Sequence, residues 1–157
     1  GEQVAAGIRQ RGWQAWAELI QAPGNHGFAA GNNIGFRRLL AQEPRAPYVL
    51  MLNPDTLVRP GALRLLLDFV ESRPEVGMAG GRSEDRDTTP QVCAFRFPTS
   101  MSELLFHTSL GVLERLFPRS PTSMGIPEAP LQVEWVSGAF VLLRRQVLDD
   151  WVGLGVG

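Results

Sequence analysis

The chain has 157 residues, 44 % of them apolar, enough for one domain or a large part of one with its own core. A formal net charge of -1 gives no global pull toward nucleic acid or an anionic membrane, and the single cysteine, Cys93, excludes an internal disulfide. No leader-like pattern opens the sequence, no apolar run approaches the roughly 20 residues of a membrane span, and no internal repeat is visible.

Gly1 to Trp13 reads as a helix, with Val4, Ala5 and Ile8 on one side and Gln3, Arg9 and Gln10 turned out. Ala17 to Gln21 is a short strand candidate, ended by Pro23-Gly24. Then comes Asn25 to Asn33 (NHGFAAGNN), a glycine-rich loop, followed by a predicted helix from about Ile34 to Gln42. A strand, a bare-backbone loop and a helix start gather unpaired N–H groups at one place, which favours phosphate. Gly27 and Gly31 would let a ligand approach the backbone closely. The spacing is neither GxGxxG nor a P-loop, so an ordinary strand-to-helix turn fits it as well, and His26 reads as an incidental loop residue.

Gln42 to Pro47 is a turn into the stretch that organises the chain, Tyr48 to Thr56 (YVLMLNPDT). Its unbroken apolar run, Tyr48 to Leu52, suits a parallel strand covered on both faces. Asn53-Pro54 stops the run, because proline has no N–H for a ladder. Asp55 therefore falls at the carboxyl end of a strand, where ligands bind in open α/β sheets. A hard carboxylate there suits a divalent cation, and such a cation suits a diphosphate. The same Asp also fits a plain turn initiator.

Arg59-Pro60-Gly61 opens a helix running from about Gly61 to Ser72. Leu63, Leu66, Leu67 and Val70 form its apolar stripe; Arg64, Asp68 and Glu71 lie opposite, and Arg64 can pair with Asp68. Val76 to Ala79 is a short strand, and Ser83 to Pro90 a charged loop whose acids lack metal-ligand spacing and read as a solvated turn. Gln91 to Phe97 is extended. Ser100 and Glu103 have capping-box spacing for a second amphipathic helix that carries His107, read as a structural histidine. Pro118 to Pro130, with four prolines, is a long irregular loop of the kind that forms lids. Leu131 to Val136 approaches as a strand, Ser137-Gly138-Ala139 permits close backbone approach, and Phe140 to Leu143 continues as an apolar strand. Arg144 to Trp151 forms one or two turns of helix, and the final glycine-rich stretch has no anchor.

Taken together, NHGFAAGNN, YVLMLNPDT with RPGAL behind it, VCAFRFPT and VEWVSGAFVLLRR resemble the family-2 glycosyltransferases of the GT-A fold, nearest to the rhamnosyltransferase-like branch that builds cell-surface polysaccharides. The four blocks stand in the family's order and cover about Leu19 to Arg145 of a single partial domain, 1–157. The resemblance implies an α/β three-layer sandwich with a mostly parallel, incomplete sheet. It also implies a nucleotide-diphospho-sugar donor, Mg²⁺ or Mn²⁺, and an inverting transfer to a saccharide or lipid-linked acceptor. Asn53-Pro54-Asp55 takes the place of the family's DxD motif, so Asp55 would be the metal ligand. Asn25, Gly27, Gly31 and Asn32 match the donor-side loop; Trp135, Ser137, Gly138 and Ala139 match the block on the acceptor side of the cleft.

The departures shape the expectation too. Family members open with a strand-helix-strand unit that cups the nucleoside base, and they carry a Glu-Asp pair downstream of the SGA block, one carboxylate of which is the catalytic base. This sequence matches neither part, and Asp149 and Asp150 fall too early for the pair, so the catalytic residue is unassigned. The resemblance then implies a domain truncated at both ends, with little activity by itself and with an unpaired sheet edge prone to aggregation or dimerisation. A non-catalytic relic or binding module on the same sheet is the alternative. A sugar nucleotidyltransferase fits less well, because its glycine- and basic-rich N-terminal loop is not seen. The family's donor pool implies a cytoplasmic protein, with peripheral contact at the inner face of the membrane through lipid-linked acceptors. Donor sugar, nucleotide base and acceptor are not written in these motifs.

Overall fold

The computed structural model describes residues 1–25, 27–97 and 124–153. The chain is mixed α/β and divides into two compact units, Gly1–Ala46 with Leu148–Gly157, and Pro47–Val147.

The first unit holds α1 (Glu2–Gln10) and α2 (Phe28–Leu40). In α1, Ala5 and Ile8 are half-buried as the periodicity predicts, while Val4 is exposed. The Ala17–Gln21 segment is not a strand. It runs as irregular chain with Leu19 and Ile20 exposed, because no second strand is present among the described residues of this unit to supply a ladder. Helix α2 starts six residues earlier than the predicted Ile34. Gly27 takes φ 87° at its N-cap, a conformation open to glycine, and Phe28-Ala29-Ala30 forms the first turn. Gly31 and Asn32 therefore belong to the helix and not to the loop. The glycine costs about 1 kcal/mol of helix propensity, which the half-buried face from Asn32 to Phe36 offsets.

The second unit is built on β1 (Tyr48–Leu52), α3 (Ala62–Glu71), β2 (Met78–Gly80), β3 (Ala94–Phe95), β4 (Trp135–Val136) and β5 (Phe140–Arg144). Helix α4 (Arg145–Gly153) follows β5 without a break. The three-stranded sheet has the order β1-β5-β2, and β3 pairs with β4 in a two-stranded ribbon. Every ladder among the described residues is antiparallel. That corrects the expected mostly parallel sheet. β1 and β2 do run parallel to one another, joined through α3 as a crossover demands, but β5 lies between them in the opposite direction.

The middle strand is thus β5, not β1. Val141, Leu142 and Leu143 are buried in succession, the mark of a strand covered on both faces, whereas β1 buries only Val49 and leaves Leu52 exposed. On one face Leu142 packs with Leu66 and Val70 of α3 and with Ala79 of β2; Tyr48, Leu50, Leu67, Phe69, Val76 and Phe140 close around them. The α3 stripe is as read, save that Leu63 stays exposed, and Arg64 pairs with Asp68 at 3.0 Å on the solvent side. β2 lies two residues later than predicted at its start and one at its end. The predicted helix from Ser100 with His107, the loop residues 118–123, His26 and the chain end 154–157 lie outside the described residues. Among those described, no helix is long and apolar enough to cross a membrane.

Candidate functional site

The clearest convergence of the singled-out motifs occurs at the carboxyl end of β1. The strand ends at Leu52, and Asn53 makes one more ladder contact by donating its N–H to the Ala139 carbonyl at 3.0 Å. The chain then turns: the Thr56 N–H donates to the Asn53 carbonyl at 3.1 Å, and the Thr56 hydroxyl donates to the same Ala139 carbonyl at 3.3 Å. The Asn-Pro-Asp-Thr turn and the Ser-Gly-Ala turn, far apart in sequence, are therefore clipped together through one oxygen. Asn53 and Thr56 are half-buried and Asp55, between them, is exposed. Its carboxylate has no ion-pair or hydrogen-bond partner among the described residues.

Ser137, Gly138 and Ala139 form the tight link between β4 and β5, all half-buried. The Ser137 N–H donates to the Cys93 carbonyl at 3.3 Å, which ties this link to the β3 side. Phe140 follows at once, and its ring fills the space where a side chain on Gly81 would stand, so β2 must leave the sheet through a glycine. Trp135 of β4 stacks on Phe95 of β3, centroids 4.1 Å apart and planes 12° from parallel; its indole N–H donates to the Arg96 carbonyl at 3.1 Å. The indole is 39 % exposed, so it presents an aromatic surface beside the Ser-Gly-Ala turn.

The donor-side residues belong to the first unit. The Asn25 carboxamide oxygen accepts the Gly27 N–H at 3.1 Å, an Asx turn that leads into α2. The helix has no side-chain cap, and it has no acidic residue in its first turn. Gly31 is exposed, with open space where a Cβ would project, and Asn32 is half-buried on α2.

The charged loop behaves as a solvated turn. Glu84 pairs with Arg59, Asp85 accepts from the Gln91 side chain, and Asp87 accepts the Thr89 N–H at 3.0 Å. No group of three or more His, Cys, Asp or Glu side chains suited to a metal ion occurs among the described residues. The Thr89 backbone hydrogen bond, helped by its hydroxyl, holds the Asp87 carboxyl below its ordinary pKa. A depressed folded-state value means that the contribution to stability is present above the unfolded pKa and fades as pH falls through the folded one. A carboxyl-carbon titration of the folded chain should place the Asp87 midpoint below that of the same residue in urea. Coincident midpoints would show that the turn does not hold the carboxylate.

Sequence reasoning missed two residues here. Thr56 was given no role, since its partner Ala139 is 83 positions away. Phe95 was read only as part of an extended segment, although an aromatic beside a β-strand break is a usable sign of a cross-strand partner such as Trp135. Comparison with family models, with curated proteins and with solved structures returns no match for the chain.

Proposed function

We propose that the chain carries donor-side and acceptor-side elements of a glycosyltransferase, which moves a sugar from a nucleotide-diphospho-sugar to a saccharide or lipid-linked acceptor hydroxyl. The observation that carries this reading is the turn after β1: a half-buried, doubly anchored scaffold that presents one exposed, unpaired carboxylate, Asp55. The β1–α3–β2 crossover supports it, because the carboxyl end of a strand in such a unit is where phosphate-bearing ligands dock. The fold in this proposal is GT-A-like, with β5 reversed between β1 and β2.

A single exposed carboxylate fits Mg²⁺ or Mn²⁺ held jointly with phosphate oxygens, since these ions keep one or two protein carboxylates and take the rest of their shell from substrate and water. Asp55 would hold the ion, and the ion's charge would stabilise the departing nucleoside diphosphate. Asn53 orients the turn through its backbone, and Thr56 locks it. The exposed Trp135 surface beside Ser137-Gly138-Ala139 suits the apolar face of an acceptor sugar ring. The Asx turn at Asn25 and the open start of α2 suit the negative charge of the donor. No residue is assigned as the base. Cytoplasmic placement at the inner face of the membrane belongs to the same proposal.

Calorimetric titration of UDP and dTDP into the chain, with and without Mn²⁺, tests it. Binding should require Mn²⁺ and should vanish in Asp55→Ala. Binding that ignores both the ion and the substitution would favour a non-catalytic binding module, and no binding in any condition would remove the donor site.

A further inference from the structure

β1 and β2 leave the sheet at the same end, with β5 between them. The two ladders fix how these exits are aligned. Leu52 lies opposite Phe140, and the Asn53 N–H donates to the Ala139 carbonyl at 3.0 Å. On the other side Gly80 lies opposite Val141, and the Gly81 N–H donates to the Phe140 carbonyl at 3.0 Å. Leu52 and Gly81 are thus level at Phe140, and the next residues, Asn53 and Arg82, depart on either side of Ala139. Two strand spacings put their backbones about 10 Å apart. The loops beyond are also joined to each other, since Arg59 after β1 pairs with Glu84 after β2. Arg82 is exposed, and no described residue pairs with it. The acids of its own loop are engaged elsewhere: Glu84 with Arg59, Asp85 with the Gln91 side chain and Asp87 with the Thr89 N–H.

We propose that Arg82 is a phosphate-binding residue of the candidate site, standing on the β2 side of the Ser137–Ala139 turn as Asp55 stands on the β1 side. Its ligand is a diphosphate, a chemistry shared by the donor nucleotide and by a lipid-linked acceptor; that identity rests on the glycosyltransferase reading. The two side chains meet a phosphate in opposite ways. Asp55 is an acceptor-only carboxylate and repels the anion unless a cation stands between them. A guanidinium attracts it directly and offers two parallel N–H donors to two of its oxygens. Arg82 therefore needs no metal to bind. An arginine side chain covers much of the span across Ala139, so a diphosphate lying over the turn comes within its reach. Its starting point is also set, because the Phe140 ring fills the space beside Gly81 and fixes where β2 departs. Charge that develops on a departing diphosphate is stabilised best by groups already in place.

Calorimetric titration of the chain with two probes, UDP in the presence of Mn²⁺ and geranyl diphosphate in the absence of metal, decides the matter. Arg82→Gln should weaken at least one of the two by about tenfold, the weight of one charge-assisted hydrogen bond, and should flatten its dependence on salt. Arg82→Lys should fall between, because a point charge keeps the attraction and loses the fork. The thermal midpoint should not move, since the side chain is exposed. A loss confined to UDP assigns the phosphate to the donor, and a loss confined to geranyl diphosphate assigns it to the acceptor. The donor reading is judged separately by Asp55→Ala, which should end UDP binding and leave geranyl diphosphate binding as it was. Should Arg82→Gln unfold the chain, Arg82→Lys with an unchanged midpoint carries the same comparison. The proposal fails if both probes bind the variant as they bind the parent chain, even where UDP binding needs Mn²⁺ and Asp55. It fails too if neither probe binds.

Discussion

Replacing Leu142 with alanine should lower the unfolding free energy by about 2–5 kcal/mol, more than any other apolar truncation in the sheet. Leu142 sits on the middle strand, 3 % exposed, with Leu66, Val70 and Ala79 packed directly on it. Truncation removes its transfer energy and leaves a cavity between a strand and a helix that are held apart by their own side chains. Neighbouring strands on both sides of β5 leave the backbone little room to close that space. Urea unfolding should show a lower midpoint with an unchanged slope, because the amount of surface exposed on unfolding is the same. Leu65→Ala provides the contrast. Leu65 is 72 % exposed on α3, and its loss should fall within about 0.5 kcal/mol of zero. Equal effects from the two substitutions would mean that the α3 face is not packed on β5 as described.

What the sequence showed and what it hid divide along the same lines. Local signals placed β1 to the residue, because Asn53-Pro54 ends a run that has no polar break before it. They also placed α3, whose stripe of Leu66 and Val70 is set by a 3.6-residue period. Strand direction was not legible. Phe140 to Leu143 reads as an apolar strand in either sense, and only its partners reveal that it runs against β1. Ala17 to Gln21 illustrates the converse: a strand-like pattern remains irregular chain when no ladder is offered to it. Gly31, Asn32 and Asn33 look like loop residues by propensity, yet α2 absorbs them because Gly27 starts the helix earlier and its later turns are half-buried. At the candidate site, Asp55 was legible because a proline-stopped strand fixes where its end must be. The clip that holds the site was not, since the Ala139 carbonyl gathers two donors from a turn 83 residues distant along the chain.

Arg144 was hidden for a similar reason, and its removal should have the second-largest effect on stability. In sequence it is one of two arginines that close an apolar strand, a pattern that ordinarily means a solvated end. In the fold its guanidinium turns inward along the α3 face of the sheet. It donates to the Val76 carbonyl at 2.8 Å, the Val70 carbonyl at 2.6 Å, the Arg73 carbonyl at 3.1 Å and the Tyr48 hydroxyl at 3.3 Å, and it lies 5.6 Å from the Tyr48 ring centroid. Those carbonyls belong to the last turn of α3 and the segment leading into β2; the Val70 and Arg73 carbonyls already accept the N–H of Arg73 and Val76, at 3.1 and 3.0 Å, and the guanidinium adds a second, charge-assisted donor to each. One cation thus ties β1, the end of α3 and the approach to β2 to β5. Arg144→Met keeps most of the apolar stem and deletes the donors. The charge-assisted bonds are worth roughly 1.5–3 kcal/mol singly, but they share one side chain and water can reach part of the vacated site, so the expected loss is about 2–4 kcal/mol. Arg144→Lys should recover less than half, because a compact ammonium cannot reach acceptors spread around a planar fork. The loss should also change little with added salt, since the acceptors are dipoles and not carboxylates. In that it differs from the exposed Arg64–Asp68 pair, whose removal should cost only about 0.3–0.5 kcal/mol and less at high ionic strength. Denaturant unfolding at low and high salt separates the two cases. If Arg144→Met costs no more than removing the Arg64–Asp68 pair, the backbone bonds already made to the Val70 and Arg73 carbonyls suffice and the arginine is not what joins the helix to the sheet.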